Sequence, residues 1–399
     1  MRTLKTLILF AVAWASQAQA QTPNDPVLES TMRTYNLSEA DARAQLSSLA
    51  EANRVGNRLE VDEPTRYAGL RIDRGQNLII HVRLVGAADN ILSKYTNNPA
   101  FVAEKARSPL RALKNKQQAI IHALAAHEKG YGVSLDAANG QIRVTVPDEA
   151  EVRGKLRAGG LVDDDVVIEH ADSFIEPAVT EVGGFGLLGR YWSFSDGTGS
   201  VRDTATLGFI VKNSAGTRGV LTAAHFDECK FSKPVTGCTV NNPATDAQTS
   251  ATLNFKGQQL GNDLDYEWRT SSANTFTNQI YYGAYMSITQ VLDARSYQAG
   301  TLTVCKMGKT TGYTCGTVAD CNQYATDPTY GIAGYFCRVS NNAGGYMADS
   351  GDSGGPVFAS ATAFGVVNAK ITGGSYIGQM TFMPIQKISG LGLSILTTP

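Results

Sequence analysis

A serine inside a glycine-rich hexapeptide is the residue of this chain best suited to nucleophilic chemistry. Ser353 lies in the segment GDSGGP, which runs from Gly351 to Pro356. Amide hydrolysis needs a nucleophile, and it needs donors for the negative oxygen of the tetrahedral intermediate. Glycines allow a tight turn that exposes the hydroxyl and aims the N–H groups of Gly351 and Ser353 at one point. The hexapeptide therefore predicts a nucleophile with an oxyanion hole.

A serine hydroxyl needs a base, and histidine is the usual one. The chain has five histidines, and four of them precede residue 171. Only His225 shares the second half of the chain with Ser353, where it ends the segment LTAAH at the end of a predicted strand. His225 is therefore the predicted general base.

The base in turn needs a carboxylate that holds its tautomer and stabilises the imidazolium. The candidates lie in GNDLDYEWR, residues 261–269. Asp265 and Glu267 lie on one face of the predicted strand, with Tyr266 and Trp268 on the other, because side chains alternate along a strand. Spacing alone does not separate Asp263 from Asp265.

The first twenty residues have the features of a secretory signal peptide. Arg2 and Lys5 precede an apolar run, LILFAVAW, and Ala18-Gln19-Ala20 has the small-x-small pattern of a signal peptidase site. We therefore predict a protein that leaves the cytoplasm, for the extracellular space or the periplasm.

The rest of the composition excludes several function classes. Of the 399 residues, 35 are Lys or Arg and 36 are Asp or Glu, so no strong basic field for nucleic acid is expected. After the signal, no apolar run reaches the roughly 18 residues of a membrane span. The spacing of the cysteines matches no zinc site, and we expect no metal and no cofactor. The predicted partners are protein or peptide substrates, bound by a monomer.

Six cysteines, an even number, indicate disulfides in an oxidising compartment. Sequence cannot decide among the 15 possible pairings of six cysteines. The simplest set consists of three local bridges, Cys229–Cys238, Cys305–Cys315 and Cys321–Cys337.

A change in composition near residue 180 predicts two domains. Residues 1–180 carry 43 charged side chains, against 28 in residues 181–399. The first part predicts a small α+β domain. Its expected elements are a helix capped by Ser38 and ending near residue 52, a strand at 78–84, a helix at 117–129, a hairpin of 133–135 with 142–146, a helix at 149–157 and a strand at 166–168.

The second part predicts an all-β barrel or sandwich, because short β-branched and aromatic runs alternate with turn residues. The expected strands are 206–211, 219–222, 288–292, 302–305, 364–367 and 380–384, followed by a short helix within 385–396.

LTAAH, a central aspartate and GDSGGP, in that order, resemble the chymotrypsin-like serine proteases. The stretch VCKMGKTTGYTCGTV, residues 304–318, resembles the bacterial branch that includes alpha-lytic protease and the streptogrisins. This resemblance implies two six-stranded antiparallel barrels with the catalytic triad between them. It also supports a Cys305–Cys315 bridge.

The resemblance implies a role for each matched residue. Ser353 corresponds to the nucleophile, His225 to the base, and Asp265, in DYEW, to the orienting carboxylate. The amides of Gly351 and Ser353 correspond to the oxyanion hole, and residues Val366, Val367 and Asn368 to the strand that pairs with substrate. Lys306 and Asp352 occupy the places of a structural ion pair, with Lys where relatives usually have Arg.

Members of this branch carry a pro-segment that assists folding and then inhibits. We therefore expect a signal peptide at 1–20, a pro-segment at 21–181 acting as an intramolecular partner, and a protease domain at 182–399. The cut is expected between about residues 171 and 182.

The chain departs from the family pattern at two places. Phe226 and Ala205 stand where many relatives have a cysteine bridge beside the catalytic histidine. Met347 stands six positions before Ser353, where a trypsin-like enzyme is acidic, and Ala348 follows it. Asp349 lies closer to the serine. This pattern favours apolar side chains in the primary pocket.

Three functions remain open from the sequence. The first is a secreted serine endopeptidase made as a zymogen. The second is a catalytically silent protein of the same fold that binds without cutting. The third is an esterase that uses the same triad.

Overall fold

The computed structural model describes residues 25–86, 89–177, 191–195, 201–225, 244–246, 252–272, 276–282, 285–328, 330–341 and 344–399. The predicted signal peptide, Phe226, the Cys229–Cys238 pair and the expected boundary at 181/182 lie outside these residues. We refer to residues 25–177 as the N-terminal region and to residues 191–399 as the C-terminal region.

The N-terminal region contains five helices and seven strands. Ser38 caps the second helix as predicted, because its hydroxyl accepts a hydrogen bond from the Asp41 amide. The helices are α1 (Pro26–Tyr35), α2 (Glu39–Asp62), α3 (Asp89–Leu92), α4 (Leu110–Leu124) and α5 (Glu149–Ala158). The strands are β1 (Tyr67–Asp73), β2 (Ile79–Leu84), β3 (Phe101–Lys105), β4 (Gly132–Asp136), β5 (Gln141–Val146), β6 (Val166–His170) and β7 (Ile175–Pro177).

The C-terminal region is built of strands and short 3-10 turns. The turns are Ala294–Ser296, Gly374–Tyr376 and Ile385–Leu391. The strands are β8 (Tyr191–Ser195), β9 (Val201–Thr206), β10 (Ile210–Asn213), β11 (Arg218–Thr222), β12 (Ala244–Asp246), β13 (Thr252–Gly261), β14 (Leu264–Thr270), β15 (Gln279–Tyr281), β16 (Tyr285–Ser287), β17 (Gln290–Val291), β18 (Thr303–Gly308), β19 (Gly312–Asp327), β20 (Ile332–Asn341), β21 (Pro356–Ala359), β22 (Thr362–Ile371), β23 (Met380–Pro384) and β24 (Leu393–Ile395).

The strands of the C-terminal region form two antiparallel systems. The first is an eight-stranded sheet in the order β24-β10-β11-β14-β13-β12-β8-β9. In the second, the pairings run β18-β21-β22-β23-β20-β19, and β19 pairs with β18 again. Six antiparallel strands therefore close into a barrel, which leaves no free edge in that ring.

A buried tyrosine joins the two systems. Tyr266 on β14 is fully buried, and its hydroxyl donates to the carbonyl oxygens of Met383 at 3.0 Å and Pro384 at 2.6 Å at the end of β23. The predicted class, an all-β double barrel preceded by an α+β region, is confirmed.

The N-terminal region adds strands to the second barrel. β4 pairs antiparallel with Tyr324 and Ala325 of β19, beyond the part of β19 that pairs with β18, and β5 and β6 continue that sheet outward. At another edge, β7 pairs antiparallel with β22. Each contact extends an existing sheet through backbone hydrogen bonds, which is how an edge strand takes up a further strand.

Several predicted elements differ in extent from the structure. Helix α2 continues ten residues beyond the predicted end at residue 52, and the predicted strand 206–211 is interrupted at 207–209. Residues 385–396 form a 3-10 turn and β24 instead of one helix. The long hairpin of β19 and β20 was not predicted. Among the helices of the described ranges, none is both long and apolar enough to cross a membrane.

Candidate active site

His225, Asp265 and Ser353 come together in the structure. The His225 Nε2 atom lies 2.9 Å from Ser353 Oγ, and its Nδ1 atom lies 2.6 Å from Asp265 Oδ2. His225 and Ser353 are fully buried, and Asp265 is 1% exposed. One ring nitrogen thus reaches the hydroxyl while the other reaches a carboxylate, which is the arrangement that activates a serine.

Asp265 is surrounded by donors. Its Oδ1 atom accepts hydrogen bonds from the amides of Ala224 and His225, both at 2.8 Å. Its Oδ2 atom faces His225 Nδ1 and accepts from Asn368 Nδ2 at 2.5 Å. Burial opposes the charged form, but His225 and these hydrogen bonds hold the pKa of Asp265 below its ordinary value. The ionised carboxylate therefore stabilises the fold above that ordinary pKa, and the contribution is lost as the pH falls through the lowered one.

The structure separates the two candidate aspartates. Asp265 lies on β14, which pairs with β11, and the residues after β11 lead directly to His225. Asp263 lies in the turn before β14 with a φ of 67°, and its Oδ1 atom accepts from the Tyr335 amide at 2.8 Å. Asp263 therefore fastens the β19–β20 hairpin, whereas Asp265 contacts the histidine.

Backbone geometry presents the Ser353 hydroxyl. Gly351 and Gly354 adopt φ values of 99° and 83°, which only glycine adopts readily. A Cβ atom at Gly354 would lie 2.0 Å from the Thr222 hydroxyl oxygen, so no other residue fits there. Thr206, at the end of β9, holds the turn, because its amide donates to the Ser353 carbonyl and its hydroxyl donates to the Gly351 carbonyl.

Lys306 and Asp352 form a fully buried ion pair. Lys306 Nζ lies 2.9 Å from Asp352 Oδ2, and it also donates to the Gly312 carbonyl and the Thr311 hydroxyl. Asp352 Oδ1 accepts from the amides of Thr310 and Thr311. Burial lowers the pKa of Lys306, although Asp352 opposes this shift. The pair ties the residue before Ser353 to the 309–312 turn.

Replacing Lys306 by methionine should destabilise the fold strongly. The change leaves the Asp352 carboxylate buried without its counter-charge, which typically costs about 3–5 kcal/mol. We expect that loss in the free energy of unfolding by urea, measured in a Ser353→Ala background. The control is Lys306→Met combined with Asp352→Asn, which removes both charges and should recover part of the loss. A single variant as stable as the parent would contradict this role of the pair.

Met347 and Ala348 are fully buried in the core of the second barrel. The Met347 carbonyl accepts from the Thr314 hydroxyl, and its amide donates to the Gly378 carbonyl. The acidic residue nearest to them in sequence, Asp349, forms an ion pair with Lys370 at 2.9 Å. Both candidate pocket residues therefore pack in the core, and the carboxylate of Asp349 already has a partner.

The structure shows which backbone groups of the candidate substrate strand are already paired. Val366 is opposite both Pro356 and Met383, and the backbone of Val367 bonds Gly354 and Gly355 while its register partner on β23 is Phe382. The backbones of Val366 and Val367 are thus occupied inside the barrel and are not available to substrate. The added strand β7 lies instead along Ala369–Ile371, directly after Asn368.

The sequence did not predict the contacts that the Asn368 side chain makes. Its carbonyl accepts from Ser353 Oγ at 3.1 Å, its Nδ2 atom donates to Asp265, and its Oδ1 atom accepts from Thr381. Asn368 is therefore in contact with both ends of the triad. Nothing local in the sequence signals the contact with Asp265, because the two residues are 103 positions apart.

The Cys305–Cys315 and Cys321–Cys337 bridges are present in the structure. Both belong to the second barrel, the first across β18 and β19 and the second across β19 and β20. In the described part of the chain, no cluster of His, Cys, Asp and Glu could hold a metal ion.

The chain is similar in sequence to a known protein over nearly its whole length and to solved structures over about half of it. No family model matches it. The sequence is 25% identical over 393 residues to streptogrisin-C of Streptomyces griseus, covering 97% of this chain and 78% of the relative. Among solved structures, the Nocardiopsis protease NAPase is 23% identical and Thermobifida fusca protease A is 26% identical. Each match covers 53% of this chain and 98% of the other, with a TM-score of 0.39.

The sequence match and the double barrel together support a trypsin-fold serine protease, as the motifs predicted. The match to streptogrisin-C reaches beyond the C-terminal region, because it covers 97% of the chain. The chain is therefore similar to a bacterial protease in its N-terminal region as well as around Ser353.

Proposed function

We propose that this protein is a secreted serine endopeptidase made as a zymogen. The observation that carries the proposal is the contact of His225 with Asp265 on one side and with Ser353 on the other, at 2.6 and 2.9 Å. Each of these side chains is buried, so the contacts are made away from bulk water, where charge interactions are strong.

In the proposed reaction, His225 Nε2 removes the proton from Ser353 Oγ as the oxygen attacks a peptide carbonyl. The amides of Gly351 and Ser353 donate to the oxygen that becomes negative. Asp265 stabilises the imidazolium without taking the proton itself. His225 then gives the proton to the leaving amine, and water releases the acyl group by the same steps.

The position of β7 favours a peptide, rather than a small ester, as the substrate. Its residues pair antiparallel with Ala369–Ile371, next to the Asn368 carbonyl that accepts from Ser353 Oγ. An extended peptide that adds to a sheet edge in this way gains backbone hydrogen bonds that a small ester cannot make.

The same strand supports the inhibitory role that we propose for the N-terminal region. β7 belongs to that region and occupies the β22 edge that a substrate would use. The pairing of β4 with β19 offers a template for the long hairpin. A template can speed the folding of a β-rich domain, because distant strands must otherwise find each other unaided.

Covalent labelling with a fluorophosphonate tests the enzyme directly. We expect rapid labelling of the processed wild-type protein on Ser353, and none of Ser353→Ala, because only an activated serine reacts quickly. Ser350→Ala is the matched control, since Ser350 lies three residues away and its substitution should leave labelling unchanged. Failure of the processed wild type to label would favour a catalytically silent binding protein. Labelling with ester cleavage but no peptide cleavage would favour an esterase.

A further inference from the structure

Helix α1 docks on the C-terminal region through an aromatic groove. The rings of Tyr282, Tyr313 and Phe358 lie 5.7, 5.8 and 6.4 Å apart in pairs. Val27, 8% exposed, belongs to the same buried cluster as Phe358 and the Cys305–Cys315 bridge. We call the surface formed by these three rings and the bridge the aromatic groove.

Polar contacts determine which end of the helix enters the groove. The Tyr313 hydroxyl donates to the Pro26 carbonyl at 3.1 Å, and its oxygen lies 3.2 and 3.0 Å from the two sulfur atoms of the bridge. Burial, with Glu29 nearby, raises the pKa of Tyr313, so the hydroxyl keeps its proton and remains a donor. These contacts are specific for the first turn of α1.

Asp25 makes a second polar contact. Its Oδ1 atom caps α1 by accepting from the Val27 amide at 3.0 Å, and it also accepts from Ser360 Oγ at 2.8 Å. Proline follows at the first helical position, where it needs no hydrogen-bond partner for its nitrogen. One carboxylate thus starts the helix and fastens it to the turn after β21.

The groove is continuous with the support of the nucleophile. Cys305 is followed by Lys306, whose ammonium group bonds Asp352, the residue before Ser353. Tyr313 and Cys315 lie on the opposite strand of the same hairpin, at the end of the 309–312 turn whose amides bond Asp352. A ligand that orders Tyr313 and the bridge therefore also orders the donors around Asp352.

We propose that the aromatic groove is a docking site for a helix start of the form Asp-Pro-Val-Leu, separate from the Ser353 site. Its occupant is residues 25–35 of the chain itself, and its occupation stabilises the 309–312 turn that holds Asp352. This inference rests on the proposed function in one respect: removal of the N-terminal region from the zymogen also removes helix α1.

Hydrogen exchange in the uncut Ser353→Ala chain tests the docking without any need for catalysis. We compare Val27→Asp with Val61→Asp, an identical change at a side chain of α2 that is 77% exposed. Val27→Asp should speed amide exchange in residues 308–316 at least tenfold, and Val61→Asp should change it less than twofold. Adding an acetylated peptide of residues 25–35 should restore protection to Val27→Asp, and the same peptide carrying the Val27→Asp change should not.

Two outcomes would overturn the proposal. One is unchanged exchange in residues 308–316 of Val27→Asp, and the other is equal acceleration by both variants. If Val27→Asp also opens β20 and β23, the milder Tyr313→Phe decides, since it removes only the hydroxyl that bonds Pro26. For Tyr313→Phe we expect amide exchange to be about threefold faster in residues 308–316 and unchanged in β20. Unchanged exchange in residues 308–316 of this variant would overturn the proposal. If the processed wild-type protein fails fluorophosphonate labelling while the Ser353→Ala variants show these exchange effects, the proposed function is contradicted and the docking site is retained.

Discussion

Wild-type protein recovered from the medium should be shorter than its Ser353→Ala variant. We expect the variant to keep the mass of residues 21–399, and the wild type to lose about 160 residues from its N-terminal end. The physical reason is that β7 delivers the chain to the nucleophile in the direction of a substrate. Intact-mass measurement of both secreted proteins checks the expectation.

The register of β7 makes this prediction more specific. Pro177 is opposite Ala369, Glu176 is opposite Lys370, and the two strands are antiparallel. Pro177 is followed in sequence by Ala178, which lies outside the described residues, and Ala369 is preceded by Asn368. The Asn368 carbonyl accepts from Ser353 Oγ, so we expect Ser353 to attack the peptide bond one residue beyond Pro177, after Ala178. We therefore predict a new N terminus at Val179, within the range expected from the sequence.

Other results would exclude parts of this account. Equal trimming of wild type and Ser353→Ala would mean that another protease makes the cut, and labelling would then have to establish activity. Two full-length products would contradict a self-maturing zymogen and favour the silent binding protein. Cutting at Val179 only in the wild type would support both the reaction and the register.

Replacing Asp265 by asparagine should nearly abolish activity, whereas the same change at Asp263 should not. In a Ser-His-Asp triad, an asparagine in place of the aspartate selects the wrong histidine tautomer and lowers kcat by about 10⁴-fold. Asp265 faces His225 Nδ1 at 2.6 Å, while Asp263 accepts from the Tyr335 amide, which an asparagine side chain can also do. For Asp263→Asn we expect a change of about threefold or less, since that hydrogen bond can be kept.

The measurement must separate chemistry from maturation, because Asp265→Asn should also cut itself slowly. Both variants can be processed by a trace of tagged wild-type enzyme that is then removed. Rates of peptide hydrolysis and of fluorophosphonate labelling are compared with circular dichroism as the check on folding. Equal losses in the two folded variants would contradict the assignment of Asp265 as the orienting carboxylate.

The chemistry-bearing motifs could be recognised from the sequence because their information is local. GDSGGP encodes its own turn, since Gly351 and Gly354 adopt φ values of 99° and 83° that only glycine adopts readily. His225 was identified by elimination, as the only histidine in the half of the chain that holds Ser353. The Cys305–Cys315 and Cys321–Cys337 bridges were likewise expected from short spacing and are present in the structure.

The β19–β20 hairpin escaped prediction for a physical reason. Its strands contain Gly, Thr, Asn and Asp in place of long β-branched runs, and propensity is a weak guide where packing decides. Residues 316–327 of β19 pair with β20, and β4 extends the sheet from the N-terminal region. The β4 part of this stabilisation comes from residues nearly two hundred positions away in sequence.

By itself, the sequence predicted an all-β barrel or sandwich, the serine turn and the histidine, because each depends on patterns within a few residues. The double barrel was what the resemblance to the chymotrypsin-like proteases implied. Spacing did not separate Asp263 from Asp265, and the resemblance implied Asp265. The tertiary structure gives the physical reason, since both lie in one short segment and the difference is which distant element each carboxylate meets. It also showed that the backbones of Val366 and Val367 are paired within the barrel, whereas Ala369–Ile371 pair with β7. Which backbone groups pair with which strand is a property of the assembled sheet.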